Sequence, residues 1–209
     1  MSKPSASGNA SAAAPGRGSK RSLWPLYAVL FITIAPIIAA VVLYLNPQWL
    51  DAEATNYGTI LDPQRPVPEP AVLTLTDLEG KPVDLRDERG QWLLLSADEA
   101  ACPDECARKL FIMRQTHAST GKNVTRIERV WFILDDAPVP DKVLEAYKGT
   151  HMLRANAEQL QQFLGPVDLK QHIWIIDPLN NLMMRFPEDP DPIRLRKDLG
   201  RLLFASQIG

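Results

Sequence analysis

Cysteine and histidine are scarce in this chain, at two and three of 209 residues. So few cysteines exclude a disulfide framework, and with 45% apolar residues the core needs no staple. Also missing are a Ser-His-Asp set, a glycine-rich phosphate loop and a zinc-protease motif, which removes three common catalytic plans. There is no internal repeat. The first 22 residues contain no acid, and residues 23–45 contain no charge of either sign.

Those two absences organise the amino-terminal part. "MSKPSASGNASAAAPGRGSKRS" is Ser, Ala, Gly and Pro with Lys3, Arg17, Lys20 and Arg21, so it cannot build a core and is expected to be a disordered tail. "LWPLYAVLFITIAPIIAAVVLYL" is long enough, at the helical rise, to cross a hydrocarbon layer of ~30 Å. Residues 23–45 are therefore expected to span a lipid bilayer as one helix. Trp24 and Tyr27 at one end, with Tyr44 and Trp49 at the other, suit the two interfaces, and Pro25 and Pro36 are candidate kinks. A cleaved signal would have an apolar run of only ~7–15 residues, so an uncleaved anchor is the expectation. The four cations ahead of the span predict a cytoplasmic amino terminus and a periplasmic bulk. A basic, acid-free start also suits an organellar presequence, so the mitochondrial inner membrane stays open beside the bacterial one.

Residues 46–70 carry five prolines from Pro47 to Pro70 and read as a linker, with a folded domain over 71–209. Four of the 23 basic residues precede the span, which leaves 19 against 25 acidic ones and a charge of −6 beyond it. That balance predicts no nucleic-acid partner.

Within the domain, "AVLTLTDLEGKPVDL" alternates about Glu79-Gly80 as a hairpin, and "QWLLL" suits a buried strand. The loop "SADEAACPDECARKL" then leads into a helix whose first residue is expected to be Pro103, with Cys102 at the cap and Asp104 and Glu105 in the first turn. Leu110, Met113 and His117 continue a stripe from Cys106, and Gly121 is the expected terminator. "RIERVWFILDD" is the next strand, "DKVLEAYK" and "NAEQLQQFL" are helices, the second capped by Asn156, and "HIWIIDP", "LNN" and "LMMRF" form a strand, a turn and an antiparallel partner. "IRLRKDLGRLLFAS" is a last helix. The order predicts an α/β fold with a mixed sheet covered on both faces, in the thioredoxin-like sequence of elements.

Cys102 and Cys106, four apart on a first helical turn, lie on one face, so both sulfurs can reach a common atom. Thiolates select Cu(I) or zinc, and a helix amino terminus stabilises them. Asp98, Glu99, Asp104 and Glu105 are expected to raise the thiol pKa and to attract a cation. Dithiol oxidoreductases of this fold usually have two intervening residues, whereas three intervene here, so a metal site, a redox couple and a simple disulfide are all open at this point. Among other candidates, His117 and His151 read as surface residues, Met113 as core, Met183 and Met184 as facing opposite sides of a strand, and Asp135 and Asp136 as a solvated turn.

"CPDEC" resembles the C-P-D-x-C stretch of the SCO/SenC family, membrane-anchored thioredoxin-like proteins that take part in copper delivery to cytochrome c oxidase. "TDLEGKPVDLRDERGQWLLL" and "ERVWFILDD" resemble the flanking strands, and the likeness spans residues 70 to 204. It implies a role in cytochrome c oxidase assembly, copper as the bound ion, and an oxidase subunit or assembly factor as partner. Two departures stand out. The family's third copper ligand is a histidine in V-D-H-S-x-x-x-Y-L-x-D-P, and the matching "VDLKQHIWIIDP" puts Leu169 there. The family also commonly has an aromatic and Thr-His before the first cysteine and a proline after the second, where this chain has "AACPDECARKL". The expected metal set is therefore Cys102 and Cys106, with His172 a third ligand only if the chain bulges, because an odd displacement along a strand points to the other face. Without copper, the alternatives are a membrane-tethered thiol-disulfide reductase, which would be an enzyme, and a non-catalytic scaffold.

Overall fold

The computed structural model describes residues 23–46 and 56–206, in two compact units that divide after Glu53. The expectations for the tail 1–22 and for residues 47–55 of the linker lie outside the described residues. In the first unit, helix α1 spans Trp24–Leu45. Its 22 residues are long and apolar enough to cross a membrane. Pro25 sits in the first turn, where its missing N–H costs nothing, and Pro36 lies inside the helix. The Thr33 hydroxyl donates back to the Val29 and Leu30 carbonyls at 3.1 and 2.9 Å.

The second unit is one eight-stranded mixed sheet. Its strands are β1 Thr59–Pro66, β2 Leu75–Thr76, β3 Pro82–Val83, β4 Trp92–Asp98, β5 Ile127–Ile133, β6 His151–Ala155, β7 Ile173–Ile176 and β8 Asn181–Arg185. They lie in the order β1-β8-β7-β4-β5-β6-β2-β3. β4, β5 and β6 are parallel neighbours, and every other pairing is antiparallel. The helices are α2 Asp104–Ala118, α3 Asp141–Ala146, α4 Ala157–Leu164 and α5 Pro192–Ala205.

Strand parity sorts the core into two layers. Leu94, Trp131, Ile133, Ile173 and Ile175 pack on one face with Leu110 and Met113 of α2 and Leu195 and Leu199 of α5. Leu93, Leu95, Val130, Phe132, Trp174 and Ile176 pack on the other with Leu160 and Phe163 of α4. β4 is buried along all seven residues because it is covered on both faces, which is why "QWLLL" reads as a continuous apolar run. The hairpin forms as expected, with Leu75 opposite Val83 and Gly80 at φ +84° in its turn.

Three expectations shift. Part of the expected linker is strand: Thr59–Pro66 pairs with β8. Its prolines are tolerated because an edge strand leaves one side unpaired, and its register is irregular between Ile60 and Arg65. β6 is a strand not anticipated at all. α2 stops at Ala118, three residues before Gly121, because the Ser119 and Thr120 hydroxyls donate to the Thr116 and His117 carbonyls at 2.8 and 2.7 Å. Gly121, at φ +59°, opens a following 3-10 turn instead.

Candidate functional site

The two cysteines lie where β4 runs into α2. Pro103 is the cap residue, one place earlier in the helix than expected, since its extended backbone (φ −60°, ψ 176°) offers its carbonyl to the Ala107 N–H at 2.9 Å. Cys102 therefore precedes the cap, in a left-handed conformation with φ 44° that only a few per cent of non-glycine residues adopt. Its N–H donates to the Glu99 carbonyl at 3.0 Å. Cys106 is the third helical residue. The pair is joined as a disulfide, with the Cα atoms 5.0 Å apart. Both cysteines are buried, Cys106 at 1% exposed and Cys102 at 9%, so Cys102 is the less buried of the two.

The loop carrying Cys102 is fastened from below. Asp98 Oδ1 accepts from the Glu99 N–H at 2.9 Å, and Asp135 Oδ1, at the end of β5, accepts from the Ala100 N–H at 3.1 Å. Asp135 thus buttresses the cysteine loop. On the other side, the buried Tyr147 hydroxyl donates to the Ala107 carbonyl at 2.8 Å, and burial holds the Tyr147 phenol above its ordinary pKa.

The expected carboxylate cluster is half neutralised. Lys109, one turn beyond Cys106, is buried with its Nζ 2.9 Å from Asp98 Oδ2 and donates also to the Ala97 carbonyl at 3.1 Å and to the Lys170 carbonyl. Lys170 in turn pairs with Glu99, which raises the Lys170 pKa. Asp104 and Glu105 stay exposed in the first helical turn. The site is thus less of a cation trap than four unpaired acids would make it. Lys109 went unanticipated, although a lysine three residues after Cys106 in the stripe Cys106–Leu110–Met113 was a legible signal. Beside it, a cavity of about 320 Å³ opens between α2 and the segments around Gln171 and Asp189, lined by Glu105, Arg108, Lys109, Lys170 and Asp189. Arg108 pairs with Asp189 at 2.7 Å across this opening.

The third expected ligand is not brought to the sulfurs. His172 is buried, its Nδ1 2.8 Å from the Phe186 carbonyl oxygen and its ring edge-on to Trp174 at 5.8 Å. Trp174 belongs to the core layer opposite the one that holds the cysteines. Leu169 is buried in that opposite layer as well. No group of three or more His, Cys, Asp or Glu side chains that could hold a metal ion occurs among the described residues. Among the described residues, copper would find two sulfurs and no third His, Cys, Asp or Glu side chain grouped with them, so these residues do not fit a three-ligand copper site. The remaining candidates are structural: Met113 is core, His117 Nε2 lies 3.0 Å from the Val124 carbonyl, and His151 Nε2 lies 3.4 Å from Glu128 Oε2.

Comparison with solved structures places this fold beside Sco1 proteins. The Thermus thermophilus apo Sco1 structure superposes with a TM-score of 0.57 at 21% identity, over 72% of this chain and 99% of that one. Copper-bound ScoI of Arabidopsis thaliana gives 0.53 at 14% identity, over 72% and 99%, and copper-bound yeast Sco1 gives 0.52 at 14%, over 64% and 91%. At these identities the likeness is one of fold. No curated protein matches the sequence. A family model, described as the transmembrane-like, thioredoxin-like, C-terminal domain, matches residues 92–206, from the strand that feeds the cysteine loop to the end of α5. The chain belongs to that transmembrane-like, thioredoxin-like family.

Proposed function

We propose that this protein is a membrane-anchored, Sco1-like factor of cytochrome c oxidase assembly that works by thiol-disulfide exchange through Cys102 and Cys106. Its partner is a cysteine-bearing oxidase subunit or assembly factor. The amino terminus lies in the cytoplasm and the domain in the periplasm, as the four cations ahead of α1 favour. The observation that carries this reading is a disulfide at the mouth of a helix whose two residues differ in burial, with no third His, Cys, Asp or Glu side chain grouped with it among the described residues. Strained backbone concentrates at functional positions, and Cys102 has it.

In the reduced protein the less buried Cys102 thiolate attacks a disulfide sulfur of the partner, forming a mixed disulfide and releasing one partner thiolate. Cys106 then attacks the Cys102 sulfur, releases the second partner thiolate and closes the Cys102–Cys106 disulfide. Two electrons pass to the partner, and a dithiol donor restores the pair. The helix amino terminus favours the thiolates these steps need. The 320 Å³ opening beside α2 offers a partner segment mixed charges to dock on.

A second reading, Cu(I) as cargo on the reduced pair, is favoured by the convergence of both sulfurs and by the copper-bound state of the Arabidopsis and yeast structures. One experiment separates the two. The full chain in detergent, fully reduced, is offered a disulfide-bonded peptide carrying two cysteines, and separately Cu(I) under anaerobic conditions. Exchange predicts a mixed disulfide that accumulates with Cys106→Ser and not with Cys102→Ser. A chain that fails to reduce the peptide, yet retains one Cu(I) lost in Cys102→Ser, would overturn the exchange reading in favour of cargo.

A further inference from the structure

The outer face of α5 is cationic in an otherwise acidic domain. Ile193, Arg196, Lys197, Gly200, Arg201 and Phe204 recur at helical spacing and are exposed, opposite the inward stripe of Leu195, Leu199 and Leu203. The only acid within the helix, Asp198, is buried. Ile193 and Phe204, at the two ends of the outer stripe, are 74% and 92% exposed. Eleven residues apart, they fall on the same side of the helix. Arg196, Lys197 and Ile193 also line a groove of about 390 Å³ against Ser119, Thr120 and Asn123, with no carboxylate among its described lining residues. The acids nearest in sequence precede the helix: Asp191 caps it, accepting from the Ile193 and Arg194 N–H groups at 2.8 and 3.2 Å, and Asp189, in the loop before, is paired with Arg108.

α5 is also where the tether enters the domain. Asp198 Oδ2 accepts from the Tyr57 and Gly58 N–H groups at 2.7 and 2.9 Å, and the Tyr57 hydroxyl accepts from the Asp191 N–H at 2.9 Å. The Arg194 guanidinium stacks on the Tyr57 ring at 5.4 Å. From Asn46, at the end of the apolar helix, to Tyr57, the chain can reach at most about 40 Å. Covalent connection therefore keeps α5 within a short leash of any bilayer that α1 crosses.

We infer that the outer face of α5 docks on anionic phospholipid, with Arg196 and Lys197 on the headgroup phosphates and Ile193 and Phe204 pressed into the boundary with the acyl chains, while Arg201 stays paired with the buried Asp198 at 3.7 Å. Cations flanked by exposed apolar side chains on one helical face are the pattern of interfacial helices. The charge of −6 beyond the span repels the same surface, which favours approach through a cationic face such as that of α5.

This inference rests on α1 spanning the membrane, and the test separates the two. The full chain is reconstituted at one copy per nanodisc, in phosphatidylcholine alone and with one-third phosphatidylglycerol, and amide exchange is read over residues 192–205. Failure to enter either disc strikes the spanning reading. Given entry, the expectation is exchange in α5 slowed roughly fivefold or more in anionic discs only, since each cation near such a surface is worth about that factor. The slowing disappears at high salt and in Arg196→Glu/Lys197→Glu, and it survives reversal of the exposed Lys142 and Lys148. Thermal unfolding confirms that each variant is folded. Equal exchange in both lipids, or protection that persists in the double variant, overturns the inference.

Discussion

Replacing Lys109 by methionine tests whether the buried charge pair beneath the cysteine loop holds it together. The Lys109 and Asp98 side chains are 7% and 5% exposed, with Nζ and Oδ2 2.9 Å apart. At an effective dielectric constant of ~20 their attraction is about 6 kcal/mol before desolvation is charged against it. Methionine fits the volume but leaves the Asp98 carboxylate with one neutral donor, the Glu99 N–H, and removes the ammonium that also serves the Ala97 and Lys170 carbonyls. Stranding one member of such a pair costs about 3–5 kcal/mol. Asp98→Asn is milder, because the ammonium keeps both carbonyls and an amide oxygen, and should cost about 1–3 kcal/mol. Urea unfolding of the full chain in detergent, followed by tryptophan fluorescence, measures both, and the double variant closes a thermodynamic cycle. A Lys109→Met cost below about 1 kcal/mol, or one no larger than that of Asp98→Asn, would refute the assignment of this pair as the support of the site.

Gly58→Ala should destabilise the domain by about 1–3 kcal/mol in the same unfolding assay, because a Cβ there would lie 2.7 Å from Met184 Sδ and 2.9 Å from Phe186 Cε1. Stability should also fall in alkali: burial raises the Tyr147 pKa above its ordinary 10.0, so the contribution of its neutral phenol is complete below pH 10 and is lost as pH rises through the folded-state value. That decline, read by unfolding at successive pH values, should flatten in Tyr147→Phe. Leu169→His should cost about 1–3 kcal/mol by placing a polar ring in the core layer opposite the cysteines, and should create no copper site. A tightly held Cu(II) ion in that variant, seen by paramagnetic resonance, would show that position 169 faces the sulfurs after all.

β4, β5 and β7 were legible because strands covered on both faces carry near-continuous apolar runs, and α4 because Asn156 caps it through the Glu158 and Gln159 N–H groups at 2.9 and 3.1 Å. β6 was not. "HMLRA" carries a histidine and an arginine whose partners come from distant sequence: His151 meets Glu128, and Arg154 donates to the Asp135 and Ala137 carbonyls at 2.6 and 3.0 Å. β1 hid behind Pro63 and Pro66, which advertise a linker and are harmless only at a sheet edge. At the site, two cysteines on one helical face were visible from spacing alone. What local pattern could not supply was the charge balance, because Lys109 reaches Asp98 across 11 residues and Lys170 reaches Glu99 across 71.

That charge balance bears on which chemistry two sulfurs can perform. Four free carboxylates would favour a bound cation and oppose a thiolate, whereas Lys109 and Lys170 cancel half of them. Cu(II) prefers nitrogen and oxygen ligands, and the His172 imidazole is committed to the Phe186 carbonyl on a ring that packs against Trp174. Recruiting His172 would mean breaking that hydrogen bond and turning a buried ring from one core layer toward the other. Disulfide exchange asks for less: an outer sulfur a partner can reach, an inner one within bonding distance of it, and local charge that tolerates a thiolate. Cys102 and Cys106 already meet the demand for two sulfurs within bonding distance, and Cys102 is the less buried of the two.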